Sequence, residues 1–153
     1  MKFQPEKLSP ELFKEVTPLL QRHWSEIAHF PDIPLEPDFE TYFGAEYAGQ
    51  YKVFTARVNG ELVGYAAFFV RSNPHYKSSK QAVQDVLYIA PEFRKQGLGL
   101  KLIDYCDQEL KALGVQATYH HTKAKHDFGP LLAKLNYELV DLIYVRRLDG
   151  KGE

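Results

Sequence analysis

Cysteine is almost missing from this chain. Cys106 stands alone among 153 residues, so no internal disulfide can form and the composition suits a reducing compartment. Long hydrophobic runs are missing too; nothing approaches the roughly 18 apolar residues that cross a bilayer. The opening, MKFQPEKLSPELFKE, has no apolar core of the kind that marks a secretory signal. No membrane association is expected, and the expected location is cytoplasmic. Charge of one sign is lacking as well: 19 Lys and Arg against 20 Asp and Glu leave a formal charge of −1. The bulk positive field that draws a protein to nucleic acid is therefore absent, and no nucleic-acid partner is expected. Glycine and proline, 10 and 9 residues, are too few for a fibrous or low-complexity chain.

What is present is ordinary in bulk, with 44% hydrophobic and 25% charged residues, and rich in aromatics at 14%. A chain of this length buries about 70% of its unfolded surface on folding, so its core needs neither disulfide nor metal. No repeat or linker interrupts it, and residues 1–153 are expected to form one domain.

Ser9-Pro10-Glu11 reads as a helix start: a capping hydroxyl, a first-turn proline and an acid near the positive end. Leu12, Val16, Leu19, Leu20, His23, Trp24 and Ile27 follow at spacings of three and four. Pro18 should kink or divide that helix, and His23 on its apolar stripe reads as a satisfied core residue. Three prolines make 30–37 a loop, after which Asp38 caps a short helix ended near Gly49. Tyr51 to Val58 is β-prone, and Asn59-Gly60 is a hairpin turn. Leu62 to Val70 reads as a strand buried on both faces, 71–81 as a polar loop, and Ala82 to Ala90 as another strand. A helix from about Leu100 to Leu113, a strand over 115–121, a short helix over 128–135 and a strand over 137–148 complete the order α-α-β-β-β-α-β-α-β. This is a mixed α/β sheet with helices on its faces.

The chemistry concentrates where the Ala82–Ala90 strand gives way to the next helix, at Arg94-Lys95-Gln96-Gly97-Leu98-Gly99. The first turn of a helix offers unpaired amides and the positive dipole end. Glycines let a phosphate approach the backbone, and Arg94 and Lys95 add charge. The local expectation is an anion site suited to pyrophosphate; the competing reading is a merely tight turn. Neither the G-x-x-x-x-G-K-[ST] loop nor the G-x-G-x-x-G fingerprint is present.

Arg-x-x-Gly-x-Gly after a strand ending in Ile-Ala-Pro-Glu resembles the acetyl-CoA loop of the GNAT superfamily of N-acetyltransferases. The likeness spans about 51–148 and is sharpest at Leu87, Ile89, Pro91, Arg94, Gly97 and Gly99; Leu135-Asn136-Tyr137-Glu138 resembles the family's Leu-Gly-Phe-Glu. The whole chain also resembles small acetyltransferases of unassigned substrate encoded by bacteria and their phages. The resemblance implies a mostly antiparallel central sheet, splayed between strands 4 and 5, with helices on both faces. It implies acetyl-CoA as cosubstrate and an amine acceptor, small molecule or peptide. Leu87, Tyr88 and Ile89 would pair with the pantetheine arm; the amides of Lys95, Gln96, Gly97, Leu98, Gly99 and Leu100 would hold the pyrophosphate, with Arg94 as supporting cation.

Acetyl transfer to an amine needs a proton acceptor, a polarised thioester carbonyl and a stabilised leaving thiolate. Asp85 is the first candidate to bind or deprotonate the amine. Strand alternation puts it on the face of Leu87 and Ile89, and an unpaired acid in an apolar strand is costly unless it works; the alternative is a satisfied acid at the sheet rim. The amide of Ile89 would polarise the carbonyl. The chain departs from the family pattern five residues before Tyr137, where relatives carry an acidic tyrosine and this sequence has Leu132. His120, His121, His126, Tyr88 and Tyr119 remain as proton donors. His120 and His121 must face opposite ways; His120 is preferred, with Tyr88 beside it. Zinc on these histidines is disfavoured for want of a cysteine pair, so no metal is expected. Cys106 reads as core, which leaves no nucleophile and favours direct transfer. The missing tyrosine also motivates a second reading, an acyl-CoA-binding module that has lost turnover. The apolar content and the last strand leave room for a homodimer.

Overall fold

Asn59 and Gly60 take φ of 50° and 84°, the two left-handed residues that a tight hairpin turn requires. They join β2 (Tyr51–Val58) to β3 (Glu61–Asn73) as the sequence predicts. The computed structural model describes residues 1–151. β3 turns through Pro74 and His75 into β4 (Tyr76–Ile89). The expected 71–81 loop is therefore mostly the far end of a long hairpin, since ladder hydrogen bonds form between polar residues as readily as between apolar ones.

The sheet has the order β1-β2-β3-β4-β5, with β1 at Lys2–Glu6 and β5 at Ala117–Tyr119. All pairs are antiparallel except β4–β5. Helices α1 (Pro10–Ile27) and α2 (Phe39–Tyr47) cover one face, and α3 (Leu98–Ala112) covers the other, with α4 (Gly129–Ala133) packed against α3. Ser9 accepts the Leu12 amide and Asp38 the Thr41 amide, so both predicted caps hold. Pro18 does not divide α1; it lies on the exposed side while Leu12, Val16 and Leu19 clamp both halves to the sheet.

Side chains of β3 alternate between two cores. Tyr65 and Ala67 join Leu12, Phe13 and Val16 under α1; Ala66 and Phe68 join Leu102, Cys106 and Leu110 under α3. Phe68 is wholly enclosed, a burial worth about 1.5–3 kcal/mol. The expected strand over 137–148 does not form: among the described residues 137–147 make neither helix nor ladder.

Candidate active site

Ala67 opposes Val86, but Phe68 opposes Gln84. Asp85 has no partner of its own and is the extra residue of a β-bulge. Alternation breaks there. Val86 and Tyr88 enter the core under α1, Leu87 and Ile89 pack on the α3 side, and Asp85 opens into a cavity on the α1/α2 side. Strict alternation predicts Asp85 on the face of Leu87 and Ile89; the inserted residue carries it to the opposite one.

Below the bulge the sheet splits. β5 pairs with β4 only at Gln81, Ala82 and Val83, so the outer edge of β4 from Gln84 to Ile89 is open among the described residues. Ala90 donates to the Val63 carbonyl on the β3 side. Alternation then turns the amides of Ile89 and Leu87 to the open edge. A cleft of about 560 Å³ runs along it: Leu87, Tyr88 and Ile89 form one wall, Gly97 and Gly99 lie at the helix end, and His121 and Leu131 face them.

After a turn of 3-10 helix at Pro91–Phe93, Gln96 and Gly97 both take positive φ, 74° and 70°. That left-handed pair aims successive amides toward the same side before α3 begins. No side chain caps α3, and among the described residues the amides of Lys95 to Leu100 meet no acceptor. Gly99 serves packing: a β-carbon there would stand 3.1 Å from a methyl of Leu131 on α4. The Arg94 guanidinium donates to the Ile89 carbonyl at 2.8 Å, pairs with both Glu26 oxygens and lies 5.3 Å over the Tyr88 ring, fastening the turn to β4 and α1.

A second cavity, of about 620 Å³, lies between α1, the 28–38 loop, α2 and the sheet. The Tyr51 hydroxyl donates to Asp85 at 2.8 Å and that of Tyr42 at 3.4 Å. Burial first, and then the Asp85 charge, push the Tyr42 hydroxyl up to about 12 and drive Tyr51 higher still, so both stay protonated as donors. The Tyr65 hydroxyl lines the same cavity, buried and without a partner. The two cavities share Asp85, His23, Ile27 and Lys123.

The structure brings Asp85, Tyr88 and the 94–100 turn together and seats His120 elsewhere. His120 packs against Phe68, Phe128 and Tyr137, with Nδ1 2.7 Å from the Gln84 side-chain oxygen and Nε2 enclosed without a partner. It lines neither cavity, and burial lowers its pKa to about 4. His121 faces the cofactor-side cleft instead. Tyr88 stacks on His23 at 4.9 Å; its hydroxyl is enclosed without a partner and kept protonated by burial. His23 is the residue that sequence reasoning misplaces. It stands at the junction of the two cavities, held neutral by burial with a pKa of about 4. Nothing in its helical spacing separates that position from a core one. The Tyr42 and Tyr51 contacts to Asp85 were equally hidden. Leu132 is buried, and the Tyr137 hydroxyl is taken up by Asp107 at 2.6 Å. Burial drives the Cys106 thiol up, away from a thiolate.

Among the described residues no group of three His, Cys, Asp or Glu converges to hold a metal ion, and no helix is long and apolar enough to cross a membrane.

Comparison with known proteins agrees with this arrangement. The sequence profile described as "Acetyltransferase (GNAT) family" matches residues 13–129. No curated protein sequence matches the chain significantly. Among solved structures, an aminoglycoside acetyltransferase from an uncultured soil metagenomic sample is similar with a TM-score of 0.71 at 17% identity, over 95% of this chain and 96% of that one. A ribosomal-protein-alanine N-acetyltransferase from Brucella melitensis biovar Abortus 2308 gives 0.69 at 19% identity, over 97% and 100%. A predicted acetyltransferase from Clostridium acetobutylicum, solved with acetyl-CoA, gives 0.73 at 13% identity, over 99% and 100%.

Proposed function

The chain belongs to the acetyltransferase (GNAT) family, and from that premise we propose that it moves the acetyl group of acetyl-CoA to a primary amine directly, within a ternary complex. One observation carries the reading: the open-edged cleft along β4 and the Asp85 cavity meet at Asp85 and His23. A thioester lying along the first and an amine seated in the second would come together at that junction.

The free edge at Leu87–Ile89 offers amides and carbonyls to the amide groups of pantetheine, as an added strand would. The uncapped amides of Lys95, Gln96, Gly97, Leu98, Gly99 and Leu100 suit the pyrophosphate, with the charge of Arg94 beside them. Asp85 receives the ammonium and takes up its proton. The neutral nitrogen forms the new C–N bond while the Ile89 amide stabilises charge on the thioester oxygen. The C–S bond breaks, and CoA leaves as a thiolate that takes a proton. We assign that proton to Tyr88, which lines the cleft, rather than to His120, which lines neither cavity. An aminoglycoside acetyltransferase and a ribosomal-protein-alanine N-acetyltransferase among the similar structures support an amine acceptor in general terms.

The test is thiol release from acetyl-CoA with a panel of amines, run beside Asp85→Asn. Turnover with at least one amine, and its loss in the variant, is expected. Tight CoA binding by calorimetry with no acetylation of any amine would overturn the reading in favour of an acyl-CoA-binding module, the role that Leu132 at the usual tyrosine position leaves open.

A further inference from the structure

Resting on that transferase reading, we infer that the acceptor is a singly charged amine with an apolar body, of the arylalkyl or alkylamine class. The Asp85 cavity is walled by Phe13, Val16, Leu20, Trp24, Ile27 and Phe69. Its sheet side carries one carboxylate. Asp85 is exposed, forms no ion pair among the described residues and is oriented by two phenols. The rings beside it form an aromatic corner: Tyr42 and Tyr51 centroids are 5.2 Å apart, and Tyr51 and Phe69 centroids 4.9 Å. A carboxylate beside such faces binds one ammonium by charge and by cation–π attraction. The buried, unpartnered Tyr65 hydroxyl supplies one more polar contact for the head group. Elsewhere the lining is mainly hydrocarbon, broken by His23, His29, Thr41 and Lys123. A second ammonium or a ring of hydroxyls set against Val16, Leu20 and Phe69 would be desolvated without partners, which disfavours such acceptors. The other carboxylates on the cavity, Glu36 and Asp38, sit on the exposed loop, and Asp38 is already engaged in capping α2.

Trp24 is the only tryptophan and lines this cavity, so its fluorescence reports occupancy without turnover. We expect 2-phenylethylamine to shift that signal saturably and to be acetylated on the order of tenfold or more better in kcat/KM than spermidine or trialanine. Asp85→Asn should weaken 2-phenylethylamine binding and leave that of 2-phenylethanol unchanged. Preference for spermidine or trialanine would overturn the inference while leaving the transferase reading standing. Saturable 2-phenylethylamine binding with no acetylation of any amine would sink the transferase reading and leave the inferred ligand class standing.

Discussion

Gly97 gives the sharpest test of the cofactor turn, because two substitutions there separate conformation from charge. Its φ is +70°, and a β-carbon would meet nothing within 4 Å. Alanine therefore brings left-handed strain and no clash, about 1–2 kcal/mol. For a chain of this size that lowers Tm by about 3–6 °C. It leaves the amides where they are, so CoA affinity should fall by no more than about fivefold. Glutamate carries the same strain and adds a carboxylate beside the proposed diphosphate. One pair of like charges about 6 Å apart, at an effective dielectric near 20, is worth about 3 kcal/mol. Gly97→Glu should thus weaken CoA by about 100-fold more than Gly97→Ala does, and the difference should shrink as salt is raised. Calorimetric titration with CoA at two salt concentrations, alongside thermal unfolding of each variant, reads both effects. If the two variants bind CoA equally, whether well or badly, the diphosphate does not sit at this turn.

Asp85→Asn should lower kcat/KM for the amine by about 10²–10³ while CoA affinity stays unchanged, which steady-state kinetics and calorimetry resolve separately. Glu6 should dominate acid sensitivity of the β1 edge. Burial raises its pKa, but hydrogen bonds from Arg57, Thr55 and Gln4 outweigh this and bring it to about 2. A lowered carboxylate stabilises fully above its ordinary range and loses that contribution as pH falls from about 4.5 toward 2. After allowance for solvent screening this is about 1–2 kcal/mol, absent from Glu6→Gln in denaturant unfolding at pH 5 and pH 2.5. His120, lowered to about 4 by burial, acts in a higher window. Between pH 6.5 and 4 the unfolded chain takes up its proton first, so stability declines as pH falls. His120→Phe should flatten that decline, measured as Tm at pH 7 and pH 5.

The parts of the fold that could be read from sequence are those where the backbone demands a particular residue type. Asn59-Gly60 supplies two left-handed positions, Asp38 and Ser9 supply capping oxygens, and the glycine-spaced turn at 94–99 supplies free amides at a helix start. Elsewhere the residue types are compatible with more than one outcome. β1 escaped because it is five residues long, contains Pro5 and sits at the sheet edge, where a proline without a donor is tolerated. The polar ends of β3 and β4 look like a loop because a solvent-exposed ribbon buries nothing. The 137–148 stretch reads as a strand because its side chains suit one; suitable side chains do not by themselves pair a backbone, and among the described residues its amides join no ladder.

Asp85 shows why the site itself was only half legible. Its residue type and position pointed to the amine side of the chemistry, yet the argument from alternation assigned it the wrong face. A bulge has no obligatory residue type unless it needs a glycine, and Gln84-Asp85-Val86 contains none. What fixes it is tertiary: Phe68 on β3 must pack under α3 while Ala67 packs under α1, and β4 must contribute an apolar neighbour to each core. Inserting one residue lets Val86 and Tyr88 serve the α1 core and Leu87 and Ile89 the α3 core, with the polar residue left over at the point of the shift. That same residue is where β4 parts from β5 and where the two cavities meet. The bulge thus turns a carboxylate toward the acceptor cavity while the free amides of Leu87 and Ile89, two and four residues further along, face the cleft on the other side. Closing the bulge by deleting Asp85 should therefore do more than remove a carboxylate. It should return β4 to strict alternation with Gln84 still opposite Phe68 on the α3 side, leave the α1/α2 cavity without a β4 carboxylate or amide, and abolish transfer even where Asp85→Asn retains a residue of activity, with CoA titration distinguishing a lost acceptor site from a lost strand edge.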